Sequence, residues 1–170
     1  MEPMVRVENV LDTWKAIRRD TAQAVEEFPA DDFDFRPAAD VMSAREIGRH
    51  ILDAGHALTG MLLDGVDDFS VPGTRDRFAA YFPALDRDAG AVEMAGALRS
   101  TIEERCAQLS TRPPEFWAHM MTRMDGQRVT RLEMLQFVKE HELTHRAQLF
   151  LCLRLKGIVP PTTRRRMAKK

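Results

Sequence analysis

Hydrophobic residues recur every three to four positions in four long segments of the chain, which is the spacing of one face of an α-helix. The first segment ends at Pro29, the second runs from Ser43 to just before Gly65, and the third stops at Pro113–Pro114. Proline interrupts the hydrogen bonding of a helix interior, so these stops are typical of helix ends. The apolar positions of the three segments are Val7, Val10, Leu11, Trp14, Ile17 and Val25; Ile47, Ile51, Ala54, Leu58 and Met61; and Val92, Ala95, Leu98, Ile102 and Leu109.

The fourth segment begins at Thr130 and closes at Gly157, a residue type that often follows the last turn of a helix. Thr130 is followed three positions later by Glu133, as Ser43 is by Glu46, and this pattern predicts a capping box at the start of each helix. The predicted inward face of the fourth helix consists of Met134, Val138, His141, His145, Gln148, Cys152 and Leu155.

Two long connections, residues 67–87 and 111–129, separate these segments, and each predicts a short helix, at 78–82 and 115–121. No alternation of apolar and polar residues is long enough to predict a sheet. The fold class is therefore all-α, a four-helix bundle with two long connections. We expect one domain over residues 1–160 and a solvated, frayed basic tail over 161–170, whose charges are Arg164, Arg165, Arg166, Lys169 and Lys170.

Composition indicates a small-molecule partner. The 170 residues carry a formal net charge of −1, which provides no overall basic field to attract nucleic acid or acidic lipid. We predict no signal peptide and no membrane span, and hence a cytoplasmic protein. The two cysteines, Cys106 and Cys152, are too widely spaced for a CxxC site, and each is expected to be a small buried thiol.

Three histidines carry the candidate chemistry. His141 and His145 lie four residues apart, so their rings share one face of the fourth helix, and His50 lies on the apolar face of the second. Each imidazole could instead be satisfied by a backbone carbonyl or a buried water. Three inward imidazoles, however, can bind one divalent ion and leave coordination positions open, and they suit zinc, nickel, iron(II) or copper.

Four other polar residues are considered near this site. Asp53, one turn after His50, could orient a ligand or accept a proton, or be an ordinary solvated aspartate. Gln148, one turn after His145, could hold a bound ligand or only bond within the bundle. We expect His56 and His119 to lie at the surface or around the site rather than on the ion.

Two stretches resemble the DinB-like, YfiT-like metalloenzyme family. HELTHRAQLFLCLRLKGIVPP, residues 141–161, is similar to the family's closing motif, with two histidines four apart, Arg, a small residue, Gln and an LR…G…P ending. FRPAADVMSAREIGRHILDAGH, residues 35–56, is similar to its FRP stretch and histidine helix, with His50 at the ligand position. The chain departs from the pattern at Thr144, where many members have a further histidine, and at Ala147, which replaces a common glycine.

The resemblance implies a four-helix bundle, usually a homodimer, with a histidine triad around zinc or nickel. It also implies a thiol-dependent transferase or isomerase using a low-molecular-weight thiol, or a metal-dependent hydrolase. The leading hypothesis is thus a metal-dependent transferase or hydrolase that acts on a small molecule in detoxification or stress response. The alternative is a non-catalytic metal- or small-molecule-binding stress protein, in which a fourth protein ligand such as His119 would close the metal shell.

Overall fold

The computed structural model describes residues 5–169, which form mainly helices. The four long helices are α1 (Val7–Glu26), α2 (Ala44–Leu63), α4 (Ala91–Ser110) and α6 (Arg131–Leu155). The shorter elements are α3 (Thr74–Arg77), α5 (Pro114–Ala118), α7 (Pro161–Met167), strands β1 (Met120–Thr122) and β2 (Arg128–Thr130), and 3-10 turns at Ala30–Asp32 and Phe78–Tyr81. The predicted all-α bundle is confirmed, while residues 1–4 of the expected domain and Lys170 of the expected tail lie outside the described residues.

Local sequence determines where the two histidine-bearing helices begin. At α2, the Ser43 hydroxyl accepts from the Glu46 backbone N–H at 3.2 Å, and the Glu46 carboxylate accepts from the Ser43 N–H at 2.7 Å. At α6, Thr130 and Glu133 make the same reciprocal pair at 3.2 and 2.6 Å. Both predicted capping boxes are therefore present, and they fix the position of each ligand along its helix.

The long helices surround the core in the order α1, α4, α2, α6. Helix α1 packs against α4 and α6, and α2 packs against the same two helices from the opposite side. Consecutive helices α1 and α2 therefore lie diagonally across the bundle, while α2 and α6 are direct neighbours. None of the described helices is both long and apolar enough to cross a lipid bilayer.

The core consists of two apolar clusters with a polar layer between them. Along α1, Trp14 belongs to one cluster and Ala22 to the other, and the buried polar residues Arg18 and Thr21 lie between them. Along α6 the same division falls between Val138 and Leu149. The three candidate ligands lie at this central level of the bundle.

A short hairpin in the second long connection was not predicted. Strands β1 and β2 pair antiparallel, with Met121 opposite Val129, and Gly126 adopts φ 81° in the turn. Strands of three residues are too short to produce a readable alternation, and the Asp125–Gly126 turn is the only local signal for them. The expected helix over 115–121 is consequently shorter, because α5 ends at Ala118.

The prediction of a frayed basic tail is wrong for residues 161–167, which form α7 and pack against α1. Arg164 pairs with Glu27, and Arg165 pairs with Asp20 at 2.5 Å. These carboxylates lie far away in the sequence, so the composition of the tail alone does not reveal them.

Three residues assigned to inward faces are exposed instead. Val92 is 67% exposed and Leu155 is 56% exposed, while Gln148 lies on the outer side of α6. At the start of α4 the fully buried residue is Met94. The face of α6 rotates along its length, so Leu149 and Leu153 replace Gln148 and Leu155 in the core.

Candidate metal centre

The structure brings the three predicted histidines together. His50 extends from the middle of α2, and His141 and His145 extend from successive turns of α6. The Nε2 atom of His141 lies 3.1 Å from His50 Nε2 and 3.2 Å from His145 Nε2. One potential ligand atom from each ring lies within 4.8 Å of the other two, and all three rings are half-buried.

Hydrogen bonds among the three rings cannot satisfy this arrangement. A ring nitrogen carries either one proton or one lone pair, so Nε2 of His141 cannot bond fully to both neighbours. Imidazoles bound to zinc at about 2.0–2.1 Å in tetrahedral geometry have their nitrogens roughly 3.3 Å apart. The observed separations of 3.1 and 3.2 Å are close to that value, so the donor set fits one divalent ion.

The rings of His50 and His141 are kept neutral by their surroundings. Burial, and after it the neighbouring rings of His145 and His50, together lower the pKa of His141 to about 4. Burial, followed by the proximity of His145, also lowers the pKa of His50. At neutral pH these rings therefore present lone pairs, the form that coordinates a metal.

Gln148 contacts one candidate ligand directly. Its Oε1 lies 2.8 Å from Nδ1 of His145. A carboxamide oxygen can only accept, so Nδ1 carries the ring proton and Nε2 is left with the lone pair that faces the other two histidines. Gln148 is exposed, as described above, yet it is positioned to select the metal-binding tautomer.

A cavity of about 500 Å³ opens beside His50. Asp53 and Arg49 of α2 lie on one side, and Phe78 and Phe82 of the first long connection lie on the other. A second cavity, of about 410 Å³, lies between Val7 and Trp117 and contains none of the three histidines. Of the three candidate ligands, His50 lines the first cavity, so a small molecule there could approach the triad from the side of His50.

Asp53 lies in this cavity wall with one oxygen unpaired. Its Oδ2 accepts from Arg49 Nε at 3.0 Å, while Oδ1 is buried without a hydrogen-bond partner among the described residues. Burial raises the pKa of Asp53, and the hydrogen bond from Arg49 opposes that shift. Arg49 is itself held by the carbonyls of Leu85 and Asp86 at 3.1 Å, which ties the carboxylate to the connection.

Glu142 was not identified from the sequence, and it is a buried carboxylate that accepts three hydrogen bonds. It is 2% exposed and accepts from Trp14 Nε1 at 2.7 Å, Arg18 Nε at 2.8 Å and Thr21 Oγ1 at 2.9 Å. Residues 141–145 read HELTH, which matches the HExxH pattern whose glutamate serves as general base in zinc proteases. Here the glutamate faces α1, so that role is not available to it.

The two remaining histidines lie away from the triad. Nδ1 of His56 lies 2.6 Å from the carbonyl oxygen of Tyr81, and His56 also contacts Arg105. His119 is exposed and lies 3.0 Å from Asp67 Oδ2. Neither histidine belongs to the metal-ligating cluster found among the described residues.

Comparison with known proteins identifies the family of the chain. The DinB family model matches residues 4–170. A DinB-like protein from Bacillus subtilis has a TM-score of 0.68 at 21% identity, over 88% of this chain and 92% of that one. YfiT from Bacillus subtilis, described as a probable metal-dependent hydrolase with an unusual four-helix bundle topology, has a TM-score of 0.63 at 14% identity, over 93% and 94%. None of the curated proteins matches the chain.

A mycothiol-dependent maleylpyruvate isomerase also has this fold, with a TM-score of 0.56 at 17% identity, over 85% of this chain and 61% of that one. At such identities the structural likenesses establish the fold. The family model, by contrast, spans nearly the whole sequence. The chain belongs to the DinB family.

Proposed function

We propose that this protein is a metal-dependent enzyme in which His50, His141 and His145 hold one zinc or nickel ion. Its reaction is the transfer of a low-molecular-weight thiol to a small electrophile. Hydrolysis of a small molecule is the second candidate reaction. We assign it to detoxification or stress response in the cytoplasm, and its two cysteines are free and buried, as expected in a reducing compartment. The observation that carries the proposal is the convergence of three imidazoles beside an open cavity.

The ion would supply charge, and the chain would supply the proton acceptor. A divalent cation on three neutral ligands lowers the pKa of a thiol or water at its open position. The unpaired Oδ1 of Asp53 can take the thiol proton, while Arg49 holds the carboxylate in place. The sulfur then bonds to the electrophilic carbon of the acceptor, whose leaving group departs with the electron pair.

A cobalt- or nickel-substituted protein tests this function directly. Adding a low-molecular-weight thiol at neutral pH should produce a sulfur-to-metal charge-transfer band. Free thiols have a pKa of about 8.5, so a modest shift makes the bound thiolate dominant near pH 7. Absence of the band with several thiols, in protein shown to hold its metal, would favour hydrolysis or simple metal binding.

Metal content tests the ligand set. The purified protein should carry close to one zinc or nickel ion per chain. Replacing His50, His141 or His145 by Ala should abolish binding, whereas His56→Ala and His119→Ala should retain it, because the latter two rings lie outside the cluster. A His50→Ala variant with full metal affinity would contradict the site.

Asp53→Asn tests the proton acceptor. The variant should keep its metal, because Asp53 is not a ligand, and it should form the thiolate band more slowly in stopped-flow measurements, by about 10²-fold. An unchanged rate would show that bulk water accepts the proton.

The homodimer remains a proposal and is supported by an apolar surface on α6. Leu151 and Leu155 are 55% and 56% exposed and lie four residues apart on one face, with Val159 beyond them. A second copy of the chain is the occupant we propose for this surface. Leu151→Lys should convert a dimer into a monomer in analytical ultracentrifugation, and a wild-type protein that is already monomeric would refute the proposal.

A further inference from the structure

One face of α2 packs against Tyr81 in the first long connection. His56, Gly60 and Asp64 are spaced by four residues, so they line up along the helix. All three contact Tyr81, the last residue of the 3-10 turn Phe78–Tyr81. This row is separate from the ligand row, because His56 lies six residues from His50.

His56 links this turn to α4. Its Nδ1 lies 2.6 Å from the Tyr81 carbonyl oxygen, which can only accept, so Nδ1 carries the ring proton. Arg105 Nη2 lies 2.9 Å from Nδ1 and 3.1 Å from Nε2 of this ring, and in that tautomer Nε2 holds the lone pair that can accept from it. Arg105 is only 8% exposed, and its Nη2 also donates to the His56 carbonyl at 3.1 Å. His56 therefore links the first long connection, through Tyr81, to the buried guanidinium of Arg105 on α4.

The Tyr81 ring is seated on Gly60. A Cβ atom at Gly60 would lie 2.6 Å from Tyr81 Cδ1 and 3.2 Å from Arg105 Nη2, so only glycine leaves room for this packing. The Tyr81 hydroxyl donates to Asp64 Oδ2 at 2.7 Å, a bond that raises the pKa of the phenol. The turn is thus held at its backbone, its ring and its hydroxyl.

The other side of the same turn faces the cavity beside His50. Phe78 begins the turn and Phe82 follows it, and both line that cavity. We propose that His56, supported by Arg105, is a positioning residue that fixes Phe78 and Phe82 as an aromatic wall, and that this wall selects small substrates with an aromatic or flat apolar body. The substrate class rests on the proposed function; the anchoring does not.

The anchoring can be measured without activity. Tyr81 is the single tyrosine of the chain, so protein labelled with 3-fluorotyrosine gives one fluorine resonance in NMR. His56→Ala should move this resonance toward its position in the urea-unfolded chain and lower the pKa of the phenol, because the Asp64 bond loosens. His119→Ala, a change at the exposed histidine, should leave the resonance in place.

Two further variants keep the test decisive if His56→Ala does not fold. His56→Asn retains a side-chain donor for the Tyr81 carbonyl and should preserve the resonance. Gly60→Ala leaves His56 intact but forces the ring away, and it should displace the resonance. An unchanged resonance in a folded His56→Ala or Gly60→Ala protein would overturn the anchoring.

Ligand selectivity tests the wall itself. In cobalt-substituted protein, His56→Ala should weaken binding of benzyl mercaptan about fivefold, the loss expected for an ordered aromatic contact, and leave 2-mercaptoethanol unchanged. Equal changes for both thiols, or none, would show that the turn does not select the substrate. If the wild-type protein binds no thiol, the proposed thiol transfer is wrong, and the fluorine signal alone decides the anchoring.

Discussion

Removing the Glu142 carboxylate should destabilise the bundle without removing the candidate ligands. In Glu142→Ala, Arg18 keeps its charge at a position where its side chain is 3% exposed, and the donors of Trp14 and Thr21 lose their acceptor. The hydrogen bonds lost by Trp14 and Arg18 account for about 2 kcal/mol, since Thr21 has a second acceptor in the Ile17 carbonyl. An uncompensated buried cation brings the expected loss to about 3–5 kcal/mol of unfolding free energy.

The Arg18–Glu142 pair should contribute less to the free energy of unfolding than the loss measured when one partner is removed. Taking both charges out of water is costly, so Arg18→Met combined with Glu142→Leu should recover about 2 kcal/mol relative to the sum of the single changes. Urea unfolding of the two single variants and the double variant, each checked for metal content, gives this coupling. Thr21 can turn its single hydroxyl proton to the Ile17 carbonyl, 3.1 Å away, so the Trp14 N–H is the main neutral group left without its acceptor.

The same series separates a structural glutamate from a catalytic one. Our reasoning requires low stability and retained metal binding in Glu142→Ala at temperatures where the protein is folded. A loss below about 1 kcal/mol, the worth of one ordinary hydrogen bond, would refute the role assigned to the buried network. So would a double variant as unstable as the sum of the singles.

Three further measurements follow from the site and its surroundings. Gln148→Ala should weaken metal binding about 10–100-fold, because His145 loses the acceptor for its ring proton. Gln148→Glu keeps an acceptor and should retain binding. Equal metal affinities of Gln148→Ala and the wild-type protein in a titration would contradict this role. The metal-free protein should lose about 1–2 kcal/mol of stability as the pH falls from 6.5 toward 4. In this range His141 takes up a proton in the unfolded chain but not in the folded protein, where its pKa is about 4. The partial exposure of the His141 ring reduces the size of this effect. Urea unfolding across that range should show the slope, and His141→Gln should remove most of it. Gly126→Ala should cost about 1 kcal/mol, since φ is 81° there, and leave the metal content unchanged; no loss of stability would mean that the turn relaxes.

The sequence predicts what is encoded locally. The capping serine and threonine mark the starts of α2 and α6, because a cap and its glutamate lie within one turn. The spacing of His141 and His145 likewise places them on one face, and the apolar stripe of α2 directs His50 inward. These signals suffice for the four-helix fold and for the residues that converge on the candidate site.

Features that depend on contacts between residues far apart in the sequence cannot be predicted from local sequence patterns. Glu142 meets residues 121–128 positions earlier in the chain, and nothing next to it in the sequence marks that pairing. The same holds for α7, which is stabilised by Glu27 and Asp20 of α1. His56 was placed away from the ion, but its bond to Tyr81 depends on how a loop folds back over 25 residues.

The Glu142 network also sets an order of events during synthesis. Arg18 leaves the ribosome more than a hundred residues before its carboxylate partner, and no other carboxylate bonds to it among the described residues. A nascent chain that ends before α6 would have to bury a cation to pack α1 and α4 fully, so it should remain loosely associated. Final packing of the bundle, and with it assembly of the three histidines, therefore waits for the last long helix.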